Sequence, residues 1–427
     1  MKRKFYFWAR EHINSDSIKM LVLAVPLTFL LIQQALEGQF DWTAFFDSGI
    51  LITFMLIAIC DWIAKFVQRK VSENTEDSAK VTDDYEKLVR KYSVSDLVTG
   101  ENSDHDRVVY PVECLWMRKG SEKIVFEDRP EKFYELPKQI ADNSKEIMDA
   151  HSTSAVYNQI NIRLDDIKLD PDKNQVVLHT SRTQYFDSLL TNRACDYVFS
   201  DRKTTVRELY EPGPFIKPLS VSKMSNHLGF NGFVLTSDKK TIPFILRKKN
   251  LSIAKNLWST SISASLKTSY AVNRETNSPL AKNPLGAAII GEINDELLHF
   301  PSKATISDKR DIREDGALNA EKAQNGIFCF YRDLTECGKP QFLFYLQLES
   351  ITESELREFI SKKNVKDDTK TDGNIVRFFS LDQLKKAKLG INKIEIEGFE
   401  YKMMPASIAS IALFLQYLKD ESANTQR

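Results

Sequence analysis

A chain of 427 residues has room for about three average domains. Lys and Arg together number 59, as do Asp and Glu, so the formal net charge is zero. A protein that coats or scans DNA or RNA carries a basic excess, so no nucleic-acid polymer is expected as a partner. Five cysteines without a CxxC pair and six histidines without HxxxH or HExxH spacing support neither a disulfide framework nor a zinc site. They fit a reducing cytoplasm.

Two apolar segments come first, Ile18 to Leu36 and Ser48 to Lys65. A bilayer core of roughly 30 Å takes about 20 apolar residues in a helix, so residues 1–70 are expected to form a two-helix transmembrane hairpin. Lys2, Arg3, Lys4 and Arg10 precede the first segment, and Lys65, Arg69 and Lys70 follow the second. The loop between them holds Glu37, Asp41 and Asp47. Basic residues stay inside, so both termini and the soluble body are expected in the cytoplasm. Pro26 interrupts the first span, where membrane helices tolerate proline. Asp61 in the second is a candidate for helix association or pore lining, or for pairing with Lys65 one turn on.

Residues 71–106 are rich in charge and read as a linker. Residues 107–215 read as a β-rich subdomain: RVVYPVECLWM, EKIVFE, VYNQINIRLDDIKLD and NQVVLHTSRTQYFD have strand-like alternation and β-branched content. Glu211-Pro212-Gly213-Pro214 breaks the pattern. Within residues 216–427, LGFNGFVLTSDKKTIPFILRKK predicts a hairpin turning at Ser237-Asp238-Lys239-Lys240. Pro284 to His299 predicts a helix, with Leu285, Ala288, Ile289, Ile293, Leu297 and Leu298 on its apolar positions. NGIFCFYRDL and PQFLFYLQLE predict strands. Thr352 and Glu355 make a capping box. Pro405 to Leu418 predicts a core helix, too short to span a membrane.

Helical spacing puts Glu292, Asp295 and Glu296 on one face, where clustered carboxylates can hold Mg²⁺ and activate a water. A solvated helix face is the plainer reading. Phosphates take Arg, Lys and hydroxyl donors, which points to Arg247, Lys248, Ser261 and Ser263, with Arg182 and Asn192 from the preceding subdomain. Bases stack on aromatic faces, which points to Trp258, with Phe244, Phe230 and Tyr185 behind it. For each of these, core packing or a solvated strand end is the plainer role.

The order of strands, polar loop and acidic helix resembles the Nudix fold, over roughly residues 219–348. Gly291-Glu292-Ile293-Asn294-Asp295-Glu296 follows the Nudix helix pattern REUxEE at Glu292, Ile293 and Glu296. Gly291 stands where the pattern has Arg, and Asp295 where it has the first paired Glu. The resemblance implies a Nudix-like α/β/α sandwich, hence a membrane-anchored α+β protein, with Glu292 and Glu296 as metal ligands if it hydrolyses. The altered box points to binding without efficient hydrolysis. Two membrane helices on such a domain resemble the transmembrane Nudix effectors of CBASS, a bacterial anti-phage system acting by abortive infection. That resemblance implies a cyclic oligonucleotide ligand made by a partner cyclase, ligand-induced homo-oligomers, pore formation and disruption of the lipid bilayer of the inner membrane. The alternative is a membrane-tethered, Mg²⁺-dependent Nudix hydrolase of a nucleoside diphosphate derivative.

Overall fold

The computed structural model describes residues 81–101, 107–151, 158–199, 204–238, 240–247, 254, 256–272, 278–298, 319–363 and 375–425. The chain divides into two units. One is Met1–Ala79 with Met148–Thr153, of which residues 148–151 are described; the other, Lys80–Ile147 with Ser154–Arg427, holds all that follows.

Strands are numbered β1 to β15 in chain order and form four sheets among the described residues. The six-stranded central sheet runs β1 (Leu97–Glu101), β2 (Arg107–Met117), β10 (Ile327–Asp333), β11 (Lys339–Gln347), β6 (Gly229–Leu235), β9 (Ile262–Ser265). Its neighbours are antiparallel except β11 and β6, which pair parallel from Gln341 opposite Gly229 to Gln347 opposite Leu235. A second sheet is β3 (Lys123–Phe133), β5 (Gln175–Gln184), β4 (Ile160–Asp170). A third is β12 (Ile375–Ser380), β7 (Thr241–Leu246), β8 (Trp258–Ser259). The fourth is β13 (Lys388–Leu389), β14 (Lys393–Ile396), β15 (Phe399–Lys402).

The central strands are apolar on both faces because a helix covers each. Phe230, Val234, Phe330, Phe342 and Phe344 share a core with Leu285 and Ile289 of the helix Pro284–Glu292. Phe233, Leu235, Phe328 and Leu343 pack with Ile408, Ile411 and Phe414 of the helix Pro405–Thr425. The rings of Phe233 and Phe414 stack at 4.3 Å. Gly232 serves this packing, since a Cβ there would lie 2.1 Å from the Phe344 ring.

Local signals translate directly. Glu355 N–H donates to Thr352 Oγ1 at 3.3 Å and Thr352 N–H to Glu355 Oε2 at 2.9 Å, the expected capping box. Pro284 opens its helix at the first turn, where its missing N–H is harmless. That helix ends at Glu292 and continues as a widened turn, Ile293–Leu297. The hairpin expected over 228–249 differs: β6 and β7 follow one another through the turn but enter different sheets, β6 beside β11 and β9, β7 beside β12 and β8.

The fold class requires correction. The described residues form an α+β fold of mixed sheets, and no helix among them is long and apolar enough to cross a membrane. The membrane-anchored architecture and the two-pass inner-membrane localisation are therefore not supported. The helix Pro405–Thr425 has a span's length, but it carries Lys419, Asp420 and Glu421 and buries its apolar face against the sheet. The expected spans, with Pro26 and Asp61, lie outside the described residues.

Candidate functional site

One face of the central sheet changes character along its strands. Side chains alternate across a strand, so the register puts Tyr331, Gln341, Gly229 and Ser265 in one row and Asn231 opposite Ser263 in the next. Toward the ends of β6 and β11 that face the helix Pro405–Thr425 the surface is apolar. Toward their starts it is a polar floor. Asn231 Nδ2 donates to Tyr331 Oη and to Gln341 Oε1, each at 2.7 Å. Arg247, just past β7, donates from Nη1 to Ser263 Oγ at 3.0 Å. Ser265 Oγ meets His227 Nε2 at 3.1 Å. A Cβ at Gly229 would stand 3.3 Å from Gln341 Oε1 and 3.4 Å from Lys339 Cε, so the glycine leaves room for both.

The segment after β5 closes on this floor. Asn192 Nδ2 donates to the Glu336 carbonyl at 2.9 Å, and Asn226 N–H donates to Asn192 Oδ1 at 3.0 Å. Arg193 pairs with Glu336 at 3.2 Å, and its guanidinium lies 5.2 Å from the Tyr185 ring centre. Lys339 Nζ reaches the same Glu336 oxygen at 3.4 Å.

Burial dominates the electrostatics. It lowers Lys339 to about 8 against the pull of Glu336. It raises Asp333 to about 7, with Glu336 adding to the effect. Burial also works on Glu336, but Lys339 and Arg193 overcome it and hold that carboxyl below the usual range. His227 is held well below the ordinary imidazole range by burial, then by Lys339 and Arg193, and so stays neutral. Four polar atoms at this floor have no hydrogen-bond partner: Ser225 Oγ, Asn226 Nδ2, His227 Nδ1 and Arg247 Nε. An unsatisfied buried polar atom costs about 1–3 kcal/mol.

The expected site residues separate here. Arg247 and Ser263 come together, both half-buried. Ser261 is fully buried, its Oγ accepting from Val234 N–H at 3.1 Å. Trp258 turns its ring edge-on to Tyr401 at 5.4 Å and joins the terminal-helix core. Phe230 and Phe244 are core rings. Arg182 is fully buried and bonds both oxygens of Asp128, at 2.7 and 2.8 Å, and the Ser278 carbonyl at 2.8 Å; it ties strands together. Lys248 lies outside the described residues. Glu292 is only 2% exposed, with Lys267 Nζ 2.6 Å from Oε1, a charged contact off the hydrogen-bond direction. Burial raises Glu292 to about 7. Asp295 accepts from the Tyr270 hydroxyl. Among the described residues no group of three His, Cys, Asp or Glu side chains has metal-site geometry, so Glu292, Asp295 and Glu296 do not assemble as a ligand set. Lys339, His227, Gln341 and Asn231 escaped the sequence reading. Asn231 within the apolar run GFNGFVL and Gln341 within PQFLF are the signals that could have found them.

No protein-family model matches the sequence, and no curated protein does. The resemblance to the Nudix family and to the transmembrane CBASS effectors is corrected by that result. Its physical basis was thin. Strand-then-helix order recurs across unrelated α+β folds, and the one carboxylate that the pattern and the fold both single out, Glu292, is occupied by Lys267.

Proposed function

We propose that the protein is a receptor for a phosphodiester nucleotide, the chemical class of cyclic oligonucleotides, which binds across the polar floor between Arg247 and Lys339. One observation carries the reading. Arg247 is half-exposed, is steered by Ser263 through Nη1, and pairs with no carboxylate among the described residues. A guanidinium held this way offers two donors to a phosphate. Behind it, Asn231 and Gln341 offer amides to a base edge or a ribose hydroxyl. Tyr185, braced by Arg193, offers a partly exposed ring for stacking.

Recognition fits this arrangement better than hydrolysis. His227 and Ser265 touch, but His227 Nδ1 has no orienting partner, and a nucleophile's base needs one. The test is equilibrium binding of the full chain to a panel of cyclic di- and trinucleotides, with melting temperature and sedimentation followed together. A ligand of the folded state raises the melting temperature, and a ligand that favours an associated state also raises the sedimentation coefficient. Arg247→Ala should weaken binding at least about tenfold, as loss of a charged contact to phosphate does, without changing the melting temperature of the unliganded chain. Binding that is indifferent to Arg247→Ala, or that no cyclic nucleotide produces, refutes the proposal.

A further inference from the structure

The fold gathers the four cysteines of the described residues into two pairs. Cys195 lies against Cys337, and both are buried. Cys114 on β2 lies against Cys329 on β10, with 3.8 Å between the sulfurs although the residues stand 215 positions apart in the chain. The antiparallel register explains this contact. Tyr331 is opposite Cys114 and Met117 is opposite Cys329, with an irregular step between Phe330 and Tyr331. The two cysteines are therefore diagonal neighbours, a placement from which side chains reach one another.

The members of this pair are unlike. Cys329 is fully buried in the core beneath the helix Pro405–Thr425. Cys114 is half-buried, where the other three described cysteines are buried. It lines an open cavity of about 480 Å³ with Asp96, Glu113, Phe215, Leu219 and Arg332. Glu113 is engaged by Arg332, accepting from Nε at 2.6 Å, which limits its repulsion of a thiolate at Cys114. The Cys329 S–H can donate to the Cys114 sulfur. That contact above all, with a backbone bond at Trp116, holds the Cys114 thiol below its ordinary range against burial and the Asp96 and Glu113 charges. Burial pushes Cys329 well above that range. The thiolate is the reactive form of a cysteine, so the reactive member of the pair is the one beside the cavity.

We infer that Cys114 and Cys329 are a redox-active dithiol that a small peroxide oxidises to a disulfide, with Cys114 as the attacking sulfur and Cys329 as the resolving one. In the first step the Cys114 sulfur forms an S–O bond as the peroxide O–O bond breaks, and the departing hydroxide takes up a proton to become water. In the second the Cys329 sulfur gives up its proton and displaces the hydroxyl from Cys114, which leaves as a second water. The two thiols lose two electrons between them, and one hydrogen peroxide is reduced to two waters. The product staples two neighbouring strands of the central sheet, and a thiol reductant reverses it.

The experiment exposes the reduced full chain to graded hydrogen peroxide at neutral pH, blocks the remaining thiols with N-ethylmaleimide and reads each cysteine by peptide mass spectrometry. The expected product is a cross-linked peptide pair joining Cys114 to Cys329, reversed by dithiothreitol. Both thiols should disappear together, at least about tenfold faster than those of Cys195 and Cys337. In Cys329→Ala, Cys114 should stop as a sulfenic acid that dimedone traps and pass to sulfinic acid in excess peroxide. In Cys114→Ala, Cys329 should stay reduced. The wild-type result needs neither variant, so a variant that folds poorly leaves the test intact. Cys114 oxidised while Cys329 stays free, a disulfide that joins other cysteines first, or Cys114 reacting no faster than Cys195 would each overturn the inference.

Discussion

Replacing Glu292 with Gln separates two pictures of the acidic helix. Glu292 titrates at about 7 in the folded chain, against 4.5 for an exposed glutamate, because burial outweighs the Lys267 charge beside it. Between those two values the native state holds a proton that the unfolded chain has released. The stability this gives is complete below pH 4.5 and is lost as pH rises through 7, at up to about 1.4 kcal/mol per pH unit. The whole loss is about 3 kcal/mol. Glutamine imitates the protonated carboxyl and cannot lose the proton. Glu292→Gln should therefore match the wild type at pH 4 and exceed it by about 3 kcal/mol at pH 8. Glu211 and Asp333 are also raised to about 7, mainly by burial, so the wild type alone is no measure of Glu292. The difference between the two proteins isolates it. Urea unfolding at each pH, followed by tryptophan fluorescence and extrapolated linearly, gives the comparison. Equal stability differences at the two pH values, or a less stable variant at pH 8, would refute a buried carboxyl titrating near neutrality. A ligand set for Mg²⁺ demands an ionised carboxylate in contact with water, and such a group titrates alike in both states and would show the first of these results.

Asp128→Ala should cost about 3–5 kcal/mol in the same assay, because it leaves the Arg182 charge buried without its partner. Gly286→Ala should cost about 3 kcal/mol or more, since its Cβ would stand 1.7 Å from the Ala320 carbonyl oxygen and neither backbone can yield cheaply. Gly120→Ala is the matched control, with no atom closer than 3.8 Å to the new methyl, and should stay within about 0.5 kcal/mol of wild type. Phe414→Ala should cost about 3–5 kcal/mol through loss of its stack on Phe233 and the cavity left behind.

What was legible in the chain was local. The capping box at Thr352 and Glu355 needs only a turn of helix, so four residues announce it. The terminal helix announced its burial because Ile408, Ile411 and Phe414 follow helical spacing. The β6–β7 hairpin was misread because alternation reports that a strand is buried, not which strand lies beside it. The partners of β6 and β7 include β11 and β12, far along the chain. The site divides in the same way. Arg247 closes an apolar strand and Ser263 alternates along β9, so both could be marked. His227, Lys339 and Gln341 become neighbours only through the parallel register of β11 on β6 and the strand β9 beside it. Glu292 shows the converse failure. Helical spacing located its face correctly but could not show that Lys267 would stand against it.

That contact joins the carboxylate to the polar floor through very little chain. Along β9 and just beyond, Ser263 holds Arg247, Ser265 meets His227, and Lys267 stands against Glu292. Ser263 and Ser265 share one side of β9, whereas Lys267, past its end, meets the helix that covers the other face of the sheet.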